Sequence, residues 1–321
     1  MTESPLKSQR RDRTRRRRRF LALVLTALAA VALLYALGPY SVRIGRISAP
    51  EVVEVLAQDG KPVRLSIWPR MNSSSKPGPA VVFVHGVTED GLANPLYSLL
   101  CDALSRRGIV VVAPWLRGYK GAFRPGDHYE PSSWNPLPDI AAARELLLRD
   151  ERVDSSRIFV AGHSLGGSYV LDFGLSNPSV AGIISLSRLD MKSRIRHRGG
   201  QDWFRKSFAS TFGLDAPIPL DKFREFARTQ VLTFENVQDA LRNSDHPRLL
   251  FTLGGLEAKG DHEWLAAYAA GCSGEAEYHE FQQLTHMLNV RAPGPPSLGV
   301  TIYEPAAIEK VASKLKTWMG F

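Results

Sequence analysis

Cysteine is nearly absent: Cys101 and Cys272 are the only two in 321 residues. That excludes a small scaffold stapled by disulfides. Sequence alone leaves open whether the two meet, and Cys101, in "NPLYSLLCDALSRRG" among leucines at helical spacing, reads as a buried apolar thiol. CxxC, HExxH and paired Cys/His spacings are also missing, so neither a metal nor another cofactor is expected. There is no internal repeat, which excludes solenoids and propellers. Net positive charge is missing from most of the chain, although the total is +9. Residues 1–19 hold nine Lys/Arg against Glu3 and Asp12, so they carry +7 and the remaining 302 residues only +2. A nearly neutral body argues against a nucleic-acid partner.

Charge is wholly absent from one stretch, "FLALVLTALAAVALLYALG" at residues 20–38. Nineteen residues make a helix of about 28 Å, close to the hydrocarbon thickness of a bilayer. The basic run before it, with only Arg43 and Arg46 close behind, predicts a transmembrane signal-anchor with a cytoplasmic N-terminal tail (1–19), a linker (39–49) and an extracytoplasmic body (50–321). A cleaved signal peptide is the rival, and "RRRFL" at 17–21 also resembles a twin-arginine export signal. The small-residue sites Ala36-Leu37-Gly38 and Ile47-Ser48-Ala49 are each followed by proline, which disfavours cleavage.

The body begins with two strands joined at Asp59-Gly60, a hairpin signal. After the loop "NSSSKPGP", apolar runs alternate with helical periodicity. "AVVFVHG", "IVVVAP", "RIFVAG", "VAGIISL" and "RLLFTLGG" read as strands buried on both faces. Helices are expected at 95–107, 139–149, 169–176 and 305–319. Alternation of this kind predicts a mostly parallel sheet with helices on both faces, an α/β fold. The stretch between Leu186 and Arg248 is too long for a plain crossover and predicts an inserted cap at about 188–247.

Glycine clusters where a nucleophile would be wanted. In "IFVAGHSLGG" (158–167) a strand ends in Gly162-His163-Ser164-Leu165-Gly166 just before a helix. A turn that abrupt strains its middle residue and pushes Ser164 toward the crevice at the strand ends. Side chains two residues either side would clash, which accounts for the glycines.

With that elbow, an upstream strand ending in His85-Gly86, and "VDSSRIFVAGHSLGG", residues 50–321 resemble the α/β-hydrolase superfamily. The dienelactone-hydrolase and prolyl-oligopeptidase-like branch is the nearest in pattern. The resemblance implies a serine hydrolase with Ser164 as nucleophile and, in the order Ser–acid–His, His286 of "QQLTHMLNV" as base. Glu257 stands at the acid's place in "LLFTLGGLEAKGDHEW". Asp261 is its rival, unless it caps the next helix, and Asp190 is a third candidate. Oxyanion donors map to the N–H groups of Val87 and Leu165. Where relatives often carry an aspartate in the loop after the fourth strand, this chain has Trp115-Leu116-Arg117-Gly118-Tyr119, which shapes the crevice rim or packs the loop.

Residues 188–206 hold seven Lys/Arg against Asp190 and Asp202. They form a solvated surface or attract an anionic substrate or lipid headgroups. In "LDKFREFARTQVLTF", Leu220, Phe223, Phe226 and Ala227 share a helix face expected to pack on the body. The expected substrate is a small-molecule acyl ester. Peptide cleavage, acyl transfer and a non-catalytic binding role on the same fold are the alternatives.

Overall fold

A computed structural model describes residues 24–26, 48–71, 76–88, 90–119, 135–188, 191–230, 240–243, 245–289 and 304–321. The chain falls into two units, Met1–Arg46 and Ile47–Phe321. Of the first, Val24, Leu25 and Thr26 are helical and exposed; the rest of the expected membrane span lies outside the described residues. Among the described residues, no helix is long and apolar enough to cross a membrane.

The second unit is built on eight strands: β1 (Glu51–Leu56), β2 (Pro62–Trp68), β3 (Gly78–Val84), β4 (Val110–Pro114), β5 (Val153–His163), β6 (Gly182–Leu186), β7 (Leu249–Gly254) and β8 (Ala276–Phe281). Their order across the sheet is β1-β2-β4-β3-β5-β6-β7-β8. The β1–β2 hairpin is antiparallel and β2 runs antiparallel to β4; from β4 to β8 every pairing is parallel. The predicted parallel sheet is therefore present, with the hairpin at one edge.

Period-two alternation sends neighbouring residues to opposite faces, which is why the central strands read as unbroken apolar runs. Ala80, Val82 and Val84 of β3 enter one core, and Val81 and Phe83 the other. The first core is closed by α2 (Leu137–Leu148), α3 (Leu165–Leu175) and α7 (Lys259–Ala270). Through Leu96, Leu100, Leu104, Ile308, Val311 and Leu315, α1 (Pro95–Arg106) and α8 (Pro305–Trp318) close the second.

Between β6 and β7 the described residues form α4 (Met191–Arg198), α5 (Asp202–Thr211) and α6 (Leu220–Gln230), and residues 240–243 are also helical. Phe223 and Phe226 of α6 are fully buried, as expected, yet many of their partners lie within the insert itself. Ring centroids stand at 5.3 Å for Phe208–Phe223, 5.8 Å for Phe208–Phe226 and 5.6 Å for Phe212–Phe226. Tyr119, after β4, meets Phe212 edge-on at 5.2 Å and so joins this aromatic cluster to the body.

The loop after β4 is packed rather than open. Trp115 donates its indole N–H to Ser66 Oγ at 2.9 Å, with Arg64 stacked 4.5 Å above its ring. Arg117 donates through Nε to the buried Asp139 at 2.6 Å and also pairs with Asp59. Both cysteines are free thiols, and burial raises the pKa of each.

Candidate active site

At the C-terminal end of β5 the chain turns into α3 within one residue. Ser164, with φ 55° and ψ −120°, lies in the left-handed half of backbone space that a residue with a side chain enters only under strain. The turn is locked by Ser164 N–H donating to Leu186 O at 2.8 Å and Gly167 N–H to Ser164 O at 3.0 Å. Its glycines are explained by distance. A Cβ at Gly162 would lie 2.1 Å from Gly166 O, and one at Gly166 would lie 2.4 Å from Val84 O. Any side chain at either position would pry β3, β5 and α3 apart. Helix α3 starts at Leu165, four residues earlier than its apolar pattern suggests, because the elbow itself supplies the first turn.

His286 reaches the serine from the loop after β8: its Nε2 is 2.9 Å from Ser164 Oγ. Glu257 approaches the other ring nitrogen from the loop after β7, with Oε1 3.2 Å from Nδ1. That contact is close but off the line of a hydrogen bond, and neither atom has another hydrogen-bond partner among the described residues. Contacts of this kind are commonly loose without substrate and tighten when charge develops on the imidazole.

The two loops are stitched together. Gly255 N–H donates to Phe281 O and Leu256 N–H to Leu284 O, each at 2.9 Å. Gly254 must be glycine for this seam to close: a Cβ there would stand 2.4 Å from Thr285 O. The His286 loop is a tight turn in its own right, with Thr285 N–H donating to Asn289 O at 2.8 Å and Leu288 at φ 52°.

Asp261 is differently engaged. It lies in the first turn of α7, whose N-cap is Ala258, so the expected capping role does not apply. Its Oδ2 pairs with Arg194 of α4 at 3.0 Å, and no contact joins it to His286 among the described residues. Asp190 lies outside the described residues. Of Glu257 and Asp261, Glu257 is the one the fold brings to His286.

Val87 lies in the loop after β3 and Leu165 directly follows the serine at the start of α3, and no carbonyl among the described residues takes either backbone N–H. Gly86 is held on both sides, at its own N–H and at its carbonyl. His85 Nδ1 lies 3.0 Å from Gly86 O, and Gly86 N–H donates to Tyr97 Oη at 2.9 Å. Burial keeps His85 neutral and lowers its pKa to about 4. His163, buried beside the serine, is held lower still, at about 3, by desolvation and then by the neighbouring His286. Tyr97, which reads in the sequence as one more core residue of α1, is a part of the site that periodicity does not reveal.

The basic segment is only partly a solvated face. Arg188 is buried, its guanidinium 4.8 Å from the Tyr268 ring centroid, and Arg205 donates to Gly199 O and Gly200 O. Arg196 and Arg198 remain exposed. Among the described residues, no group of His, Cys, Asp and Glu is arranged to hold a metal.

A family model for the alpha/beta hydrolase family matches residues 81–305. The chain belongs to that family. The relatives found by sequence are the uncharacterized proteins Rv2307c and MT2364 of Mycobacterium tuberculosis, each 32% identical over 144 residues, covering 45% of this chain and 48% of the relative. The chain thus spans about half the length of the curated relatives it matches. Among solved structures, a soluble variant of monoglyceride lipase from Saccharomyces cerevisiae has a TM-score of 0.62 at 14% identity, covering 86% of this chain and 97% of that one. Est1E from Butyrivibrio proteoclasticus has a TM-score of 0.56 at 15% identity, covering 85% and 99%. A puromycin-hydrolyzing peptidase of Mycobacterium tuberculosis has a TM-score of 0.59 at 18% identity, covering 87% and 40%. At such identities these structures share the fold with this alpha/beta hydrolase, and that alone.

Proposed function

We propose that this alpha/beta hydrolase is a serine esterase acting on small-molecule carboxylic esters through Ser164, His286 and Glu257. One observation carries the reading: the 2.9 Å approach of His286 Nε2 to the oxygen of a serine held in strained backbone, with a carboxylate behind the ring. A serine hydroxyl becomes a competent nucleophile only when a base within hydrogen-bond reach takes its proton.

In the reaction Ser164 Oγ attacks the ester carbonyl as its proton passes to His286 Nε2. The negative charge that develops on the carbonyl oxygen is held by the N–H groups of Val87 and Leu165. Glu257 stabilises the imidazolium through Nδ1–H without itself taking the proton. His286 then returns the proton to the departing alkoxide, leaving an acyl-serine. Water, deprotonated by the same ring, releases the acid and restores Ser164. The open N–H groups of the elbow and of the loop after β3 support this assignment.

Labelling with a fluorophosphonate, followed by a panel of chromogenic esters and peptide anilides, tests the reading. Wild-type protein should label and turn over ester. Ser164→Ala should not label and should lose about 10⁴-fold or more in kcat. A wild type that neither labels nor hydrolyses any member of the panel overturns it, and turnover of anilides alone assigns a peptidase.

The basic tail and the charge-free run at 20–38 support a tether, with the hydrolase body on the extracytoplasmic side. The full chain should sediment with membranes through alkaline carbonate and dissolve only in detergent. Release by carbonate would remove the tether.

A further inference from the structure

A hydrogen-bonded chain runs behind the site from one of its loops to another. Gly86 N–H donates to Tyr97 Oη at 2.9 Å, and Tyr97 Oη lies 3.1 Å from His163 Nδ1. His163 Nε2 lies 2.8 Å from the backbone carbonyl of His286. Direction follows from the end groups. The peptide N–H can only donate and the carbonyl can only accept, so Tyr97 donates its proton to Nδ1 and His163 donates from Nε2. Every group in the chain is satisfied with a single neutral tautomer. The rings are also packed, with centroids at 5.7 Å for Tyr97–His163 and 5.3 Å for His163–His286.

The two ends are the parts of the site that must agree in position. Gly86 precedes Val87, whose N–H faces the reacting carbonyl in the proposed mechanism, and the other end is the main chain of the base itself. Neither is fixed to the other by a strand pairing: β3 and β8 are separated in the sheet by β5, β6 and β7. Resting on the esterase reading, we infer that Tyr97 and His163 are positioning residues that tie the oxyanion loop at Gly86 to the His286 loop, so that donor and base keep a fixed separation. Neither touches substrate; they act through the two loops. The small residues at the elbow let this occur, because Gly86 lies so close that a Cβ on it would be 2.7 Å from His163 O.

Tyr97→Phe keeps the ring and removes the hydroxyl, breaking both bonds at once. His163→Gln keeps a donor that can reach the His286 carbonyl, and His163→Leu removes it. Each variant is titrated with fluorophosphonate to count competent sites, and kcat and KM for an ester are expressed per titrated site. Tyr97→Phe and His163→Leu should lose about tenfold in kcat per site, with KM within about twofold of wild type, while His163→Gln retains most of the rate. A residue that merely supports folding would reduce the number of titratable sites and the Tm but leave kcat per site unchanged. That result in both Tyr97→Phe and His163→Leu would overturn the inference. Equal losses in His163→Gln and His163→Leu would also overturn it, since the donor would then be irrelevant. A wild type that neither labels nor hydrolyses ester fails earlier, at the esterase reading, and is told apart by that.

Discussion

Ser164 and His286 meet from regions of the sheet held by opposite means. Around Ser164 the chain is fixed by close approach: Gly162, Gly166 and the ends of β3 and β5 are pressed together at distances that leave no room for one more carbon. Around His286 and Glu257 it is fixed by attraction, through the two backbone bonds that join the loops after β7 and β8 and through the chain from His163. The first arrangement tolerates no added atom, and its locking bonds, Ser164 N–H to Leu186 O and Gly167 N–H to Ser164 O, run between backbone groups alone. The second depends on several hydrogen bonds, each worth about 1 kcal/mol net, and so degrades in steps. Substitutions at the two ends should therefore fail differently, one by misfolding and the other by slower chemistry in a folded protein.

The largest effect is expected at the elbow. In Gly162→Ala the new methyl carbon would sit 2.1 Å from Gly166 O, against backbone that is itself pinned to β3. Relief requires moving α3 away from the sheet, so loss of stability above about 4 kcal/mol is expected, an exceptional value for one methyl group. Denaturant unfolding measures it. A variant with wild-type stability and labelling would mean that the elbow has slack the distances deny.

Next comes the acid. Glu257→Gln keeps the size of the side chain and removes its charge, so the fold and the Tm should change little. Turnover should fall by about 10³-fold, because the imidazolium formed during reaction loses its stabilising carboxylate. Asp261→Asn is the comparison. Its partner is Arg194, with 14% of the Asp261 side chain exposed, and breaking that pair should leave kcat/KM within about twofold. Reversed outcomes for the two variants would transfer the acid's role to Asp261.

This contrast also marks what could be read from the sequence. The elbow was legible because close approach leaves a compositional trace, glycine on either side of Ser164, and a strand-then-helix setting that can be recognised locally. The sheet was legible for a similar reason, since strands buried on both faces must be apolar throughout. His286 and Glu257 could be nominated only by chain order and family resemblance, because loops far apart in sequence record little of their meeting. The glycine pair Gly254-Gly255 is such a record, though it reads only as the end of a buried strand until Thr285 is seen against it. Tyr97 left no trace at all, as a hydroxyl on a helical aromatic is indistinguishable from core packing. The basic run after β6 misled in part, since a buried Arg188 stacked near Tyr268 and an Arg205 bound to two carbonyls count as charges in the sequence but are occupied in the fold.

The smallest effect, which reports on the two buried histidines beside the serine, is in the pH dependence of stability. His85 and His163 are buried as neutral rings with folded-state pKa values lowered to about 4 and about 3 from 6.5. As pH falls below 6.5 the unfolded chain takes up a proton at each ring while the folded protein does not, so unfolding gains protons and stability falls. The contribution is fully present above pH 6.5 and is lost on the way down to the folded values. Between about pH 6 and 4.5 each ring should contribute a slope of about 1.4 kcal/mol per pH unit. His163→Gln removes one titrating ring while keeping a hydrogen-bond donor, so this part of the slope should drop by about half. Urea unfolding at a series of pH values in that window measures the change. An unaltered slope in the variant would mean that His163 is protonated in the folded protein, which is incompatible with a ring that accepts from Tyr97 at Nδ1.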